Sequence, residues 1–141
     1  NPSGILVKEE CVAAFKEIKR KQWKYVIFKV TENRKYIAVW KKVKQSTYGD
    51  FLKLFVGDEC FYALYDFAYE TEDRRPVSKI VFFSWTPEDS KKERAIYASS
   101  RVPFYNKINP NLPSVEATHP DDLQEDQVTE KVQQKRIIRR I

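Results

Sequence analysis

Glycine is scarce, at three positions in 141 residues, which leaves too little for a Gly-rich phosphate cradle or a fibrous repeat. Histidine occurs once, at His119, and cysteine twice, at Cys11 and Cys60. A Cys-His or Ser-His-Asp arrangement would have to recruit His119, which stands beside Pro120 at an expected helix start and reads as a surface cap. Two cysteines on expected core faces, with a single histidine, make neither a disulfide framework nor a zinc set. They suggest reduced thiols in a cytosolic or nuclear protein, although the sequence leaves one bridge open. Methionine is absent altogether, so Asn1 need not be the native first residue. No apolar run approaches the roughly 20 residues that span a bilayer, and Asn1-Pro2-Ser3-Gly4 has no secretory-signal plan. The paired acids Asp58-Glu59 and Asp121-Asp122 suit solvated turns better than acid/base work. Neither an enzyme, a metal nor a cofactor is expected from this inventory.

What is present is enough for one core: 42% of the residues are hydrophobic and 14% aromatic, sufficient to offset chain-ordering entropy outside the ends. With no repeat and no interdomain linker, residues 1–141 read as a single domain, with 136–141 as a basic C-terminal tail. Basic side chains outnumber acidic ones by 26 to 20, and the excess is concentrated in residues 1–50, which hold 12 basic and 5 acidic side chains. Such a face favours an acidic partner, whether nucleic acid, anionic lipid or protein.

Cys11, Ala14, Phe15 and Ile18 recur at helical spacing, predicting a helix from about Lys8 to Gln22 after an extended lead, Ser3 to Val7. Tyr25–Val30 and Tyr36–Trp40 read as a hairpin turning near Asn33, and Thr47 to Phe55 as a short helix. Cys60–Phe67 and Lys79–Trp85 are the most apolar strands, with Ala68–Ser78 expected as an exposed loop. Thr86-Pro87-Glu88-Asp89 has the grammar of a helix start, predicting a helix to about Ser100, with Pro103 breaking the chain beyond it. Ser114–Ala117 is a candidate edge strand, and Thr118-His119-Pro120-Asp121-Asp122 should open the last helix. The fold class is therefore α/β: a central mixed sheet with helices on both faces.

The segment Ile96–Arg101, IYASSR, comes directly after Lys92-Glu93-Arg94 and Ala95. Together they resemble the long helix of the actin-depolymerising factor/cofilin family, whose basic-x-basic pair precedes a YASS run and a further basic residue. Ser3-Gly4, Glu9-Glu10-Cys11, Tyr65-Asp66-Phe67, Ser78-Lys79-Ile80 and Trp85-Thr86-Pro87-Glu88 carry the resemblance across nearly the whole chain. It implies a single ADF-homology (cofilin-like) domain that binds monomeric and filamentous actin, prefers the ADP form, and promotes severing and depolymerisation in the cytoplasm, on the actin cytoskeleton, or in the nucleus. A monomer is expected. Small residues at Ala98, Ser99 and Ser100 would let a helix approach a partner closely while Lys91, Lys92 and Arg94 offer donors to carboxylates.

By that resemblance, Ser3, Gly4, Lys92, Arg94 and Ser100 are candidate actin contacts. Lys79, Glu130 and Lys131 are candidates for a filament-specific surface. Ser3 matches a serine whose phosphorylation blocks binding, and roughly −1.5 to −2 charges there would oppose an acidic surface. The chain departs from the family at Val77 and Gln134, where basic residues are common, and at Ala95, where a bulky residue is usual. Val77 and Gln134 keep a coactosin-like or monomer-sequestering activity open. The basic stretches Lys16–Lys24 and Lys41–Lys44 keep open a phosphoinositide-binding activity. A nucleic-acid partner is not expected, because the aromatics fall in core strands with no stacking platform.

Overall fold

The computed structural model describes residues 4–138, with side chains through Gln133. Six strands form one sheet in the order β1-β3-β2-β4-β5-β6. They are β1 (Leu6–Val7), β2 (Tyr25–Val30), β3 (Tyr36–Val43), β4 (Phe61–Glu70), β5 (Pro76–Trp85) and β6 (Ser114–Ala117). The two outermost pairings, β1 with β3 and β5 with β6, are parallel; the inner ones are antiparallel. Alternation along the strands divides the core. Val26, Phe28, Tyr62, Leu64 and Phe82 face helices α1 (Glu9–Lys19) and α3 (Arg94–Ile108). Ile27, Ala63, Tyr65, Phe83 and Trp85 face α2 (Tyr48–Leu52) and α4 (Glu125–Ile138). The expected mixed sheet with helices on both faces is what forms.

Helix α1 buries Cys11, Ala14, Phe15 and Ile18, with Glu9 and Glu10 in its first turn and Lys16 and Lys19 in its last, a distribution that suits the helix dipole. It ends in a Schellman arrangement: Gln22 N–H donates to the Glu17 carbonyl and Lys21 N–H to the Ile18 carbonyl. The left-handed position of that motif, usually glycine, is held by Lys21 at φ 66°. Thr47 caps α2, its hydroxyl accepting from Asp50 N–H at 3.1 Å. The expected helix opener at His119 is real but short. His119 Nδ1 accepts from Asp121 N–H and Asp122 reaches back to His119 N–H, closing a 3₁₀ turn, Pro120–Leu123, before α4 begins.

Three expectations are corrected. Ala68–Ser78 is not a loop: β4 and β5 pair through Glu70↔Pro76, because strand pairing continues once the core ends and needs only polar side chains on a solvated ribbon. Thr86-Pro87 does not open α3, since Thr86 N–H is tied to the Ala117 carbonyl at the end of β6 and residues 88–93 form turns. Pro103 does not end the helix; it lies inside α3. An interior proline costs about 3 kcal/mol, here offset by burial of Phe104 and Ile108 beyond it. The carbonyl it would crowd belongs to Ser99, on the exposed side. The expected basic tail begins inside α4, which runs to Ile138; 139–141 lie outside the described residues, as do the side chains of Gln134 and its successors.

Candidate functional site

Helix α3 is held on the sheet by aromatic side chains that are both apolar and hydrogen bonded. The Tyr97 hydroxyl accepts from Val30 N–H at 2.9 Å, and the Tyr62 hydroxyl donates to the Tyr97 carbonyl. Burial pushes both phenols well above their ordinary pKa, so they stay protonated. Phe104 packs against Phe28 and Tyr62, with ring centroids 5.2 and 5.1 Å apart. Arg101, the basic residue closing the YASSR run, bridges to Glu116 on β6 at 2.7 Å, so it ties the helix to the sheet edge. These contacts fix which face of α3 points outward.

That outer face carries Ala95, Ala98, Ser99, Val102 and Asn106, all exposed and spaced i, i+3, i+4, i+7, i+11 on one side of the helix. Val102 is 47% exposed and is the largest apolar group on the strip. Local sequence hides its importance, because Pro103 beside it reads as a break; once the helix is carried through, its spacing from Ala98 and Ser99 marks it. Ser100 does not join this face. It is 1% exposed and points inward, with no hydrogen-bond partner for its hydroxyl among the described residues. The small residues that permit close approach are therefore Ala95, Ala98 and Ser99.

Arg94 is the first residue of α3, and Lys91 and Lys92 stand in the turn before it; all three are exposed. The turn is shaped by Ser90, which is buried. Its hydroxyl donates to the Pro87 carbonyl and accepts from the Cys60 thiol at 3.2 Å. Its carbonyl accepts from Arg94 N–H at 2.8 Å. Ser90 thus starts the helical hydrogen bonding and aims the two lysines outward. Across a surface depression from them lies Arg34, exposed at the β2–β3 turn in the left-handed region at φ 60°. Gly4, also at positive φ, 72°, is exposed at the start of the lead; Ser3 lies outside the described residues. The depression between Arg34 and the lysines also holds Asp58, Glu59, Asp89 and Glu93, so the cations are interleaved with acids at the start of a strip of small side chains that admits a close-packed partner.

A second surface lies on the opposite face of the sheet. Strand alternation places Val77 and Lys79 with Val81 and Phe83 on the side that α4 covers through Val128 and Val132. Lys79 is half-buried, whereas Glu130 and Lys131 are exposed on α4. Glu130 shares a shallow surface depression with Tyr69 and Glu70 at the end of β4. The hairpin tip adds Arg74, exposed at φ 62°, and Arg75, whose Nε pairs with Asp73 at 2.9 Å. The described residues contain no group of His, Cys, Asp and Glu that could hold a metal ion, and no helix among them is long and apolar enough to cross a membrane.

Residues 4–133 match the model of a family described as cofilin/tropomyosin-type actin-binding protein. The chain is 35% identical over 124 residues to actin-depolymerizing factor 8 of Arabidopsis thaliana, covering 86% of this chain and 89% of that one. It is 35% identical over 132 residues to the cofilin of Mycosarcoma maydis, covering 92% and 95%. The crystal structure of Streptomyces griseoflavus cofilin superposes with a TM-score of 0.83 at 28% identity, over 93% of this chain and 98% of that one.

Proposed function

The chain belongs to the actin-depolymerising factor/cofilin family of non-enzymatic actin-binding proteins, and we propose that it binds both actin monomers and filaments, prefers their ADP form, and promotes filament severing and depolymerisation. The observation that carries this reading is the pairing of an anchored, small-residue face on α3 with a cationic turn at its start. Lys92 and Arg94 meet carboxylates on actin, Ala95, Ala98 and Ser99 admit the close approach, and Val102 supplies the apolar contact. Ser3 and Gly4 are further actin contacts by the family pattern, and phosphate on Ser3 would weaken binding by charge repulsion.

Lys79, Glu130 and Lys131 then form the filament contact, bridging to a neighbouring subunit. A protein so placed changes filament twist only by its differential affinity for the two twist states. Boundaries between decorated and bare segments become the weak points at which filaments sever. It works as a monomer in the cytoplasm, on the actin cytoskeleton, with phosphoinositides on its basic surface competing with actin.

Co-sedimentation with ADP-actin filaments tests this reading. Wild type should pellet with filaments and raise the actin left in the supernatant, and Lys92→Ala/Arg94→Ala should abolish both. Val77, in place of a cation beside Lys79, favours one alternative, a coactosin-like or monomer-sequestering activity. In that case actin would move to the supernatant without the protein pelleting, and Val77→Arg would restore filament binding. No effect on either fraction would overturn the actin reading and leave the lipid surface.

A further inference from the structure

At the far end of α3 from Lys92 and Arg94, about 22 Å along a helix of this length, the C-terminal end of α1 borders a cleft of about 440 Å³. Its apolar floor is made by Phe15, Ile18, Ile80 and Leu112. Asp66, only 7% exposed, is also part of the lining. Its Oδ2 takes the Lys21 ammonium at 2.9 Å, and that ammonium also donates to Ser78 Oγ at 2.8 Å. Its other oxygen, Oδ1, is buried and has no partner among the described residues. A buried carboxylate oxygen left unpaired is costly, and an ionised carboxylate can only accept.

The local backbone is committed to this arrangement. Lys21 occupies the left-handed position that ends α1, where glycine would be unstrained, and that conformation accompanies the reach of its ammonium to Asp66. Lys19, exposed on the last turn of α1, and the half-buried Lys79 add two further cations to the lining. Lys16, also exposed, is three residues from Lys19 and shares its side of the helix, and neither belongs to the α3 surface.

We propose that this cleft is a docking site for an acidic segment of a partner protein anchored by a tryptophan. The indole supplies a large apolar body for the floor and a donor-only N–H for Asp66 Oδ1, with the Lys21 ion pair to Oδ2 kept. Flanking carboxylates pair with Lys19 at the rim and with Lys16 beside it. Because the site lies at the other end of α3, such a partner binds while the cationic turn is covered, but it shares Lys79 with the proposed filament contact.

The test is an NMR titration of the full chain with a synthetic acidic hexapeptide bearing one central tryptophan. The expected result is saturable movement of the Asp66, Ser78 and Leu112 amide resonances. Phenylalanine in place of the peptide's tryptophan should weaken binding about tenfold, the loss of one charge-assisted hydrogen bond. Lys19→Glu, a surface change at the rim of the cleft, should weaken it again. The peptide comparison keeps the protein constant, so it does not depend on whether Asp66→Asn folds. No saturable movement, equal binding of the two peptides, or the same resonances moving with phosphatidylserine vesicles but not with peptide would overturn the proposal. No actin is present, so the outcome is independent of the actin reading.

Discussion

Replacing Tyr97 by phenylalanine removes one atom that holds α3 to the sheet. The ring stays, and so does the acceptor that Tyr62 uses, because that is the Tyr97 backbone carbonyl. What is lost is the hydroxyl that accepts from Val30 N–H at 2.9 Å, a part-buried bond between residues 67 apart in sequence. Leaving that amide without a partner costs about 1–2 kcal/mol. At about 2.1 cal/mol/K per residue the unfolding entropy of a chain of this length is roughly 0.3 kcal/mol/K, which converts the cost to a fall of about 3–7 °C in Tm. The measurement is calorimetric melting together with urea unfolding, where the midpoint should drop and the m-value stay constant. A Tm indistinguishable from wild type would mean that water or another group already serves Val30. The claim that Tyr97 fixes the outward face of α3 would then fail.

The same geometry sets three further outcomes. Ser100→Ala removes a buried hydroxyl that has no partner among the described residues, so stability should hold or rise by up to about 1 kcal/mol, and actin affinity should be unchanged; a marked loss of affinity in a pull-down would put Ser100 back on the contact surface. Val102→Glu places a charge at the centre of the exposed strip and should leave Tm nearly untouched, within about 0.5 kcal/mol of stability, while weakening monomer binding at least tenfold in a fluorescence titration. Burial pushes the Cys11 thiol up from 9.0 to about 12. Since the unfolded chain ionises first, the stability this thiol contributes is intact below pH 9 and is lost as pH rises from 9 toward 12. At pH 10 the loss from Cys11 alone is on the order of 1 kcal/mol. Urea midpoints at pH 8 and pH 10 should show it, Cys11→Ala should remove that component, and a flat profile would contradict it.

Much of the architecture was legible because local chemistry and tertiary packing agree. The α1 stripe, the Tyr25–Val30 strand, the Thr47 cap and the Ser114–Ala117 edge strand all come from periodicity or capping that the core then uses. The region around α3 was harder to read. Thr86-Pro87 has a helix-start pattern, but the Ala117 carbonyl claims the Thr86 amide, a long-range bond invisible to local spacing. The true organiser, Ser90, looks like an ordinary loop serine until Cys60 and Pro87 are seen around it. Pro103 misled in the opposite direction, since burial of Phe104 outweighs the rule that prolines end helices. For the site, the cations at Lys92 and Arg94 were visible from the motif, whereas which small residues face outward depended on the helix phase set by Tyr97.

The most direct test of the central claim is hydrogen exchange on the chain alone and in complex with monomeric ADP-actin. Residues 91–102, the cationic turn and the first half of α3, should show the largest gain in protection, and Lys92→Ala/Arg94→Ala should abolish it. Protection that leaves 91–102 unchanged while appearing on α4 or on α1 would contradict the account, because actin would then be held by a different face of the molecule.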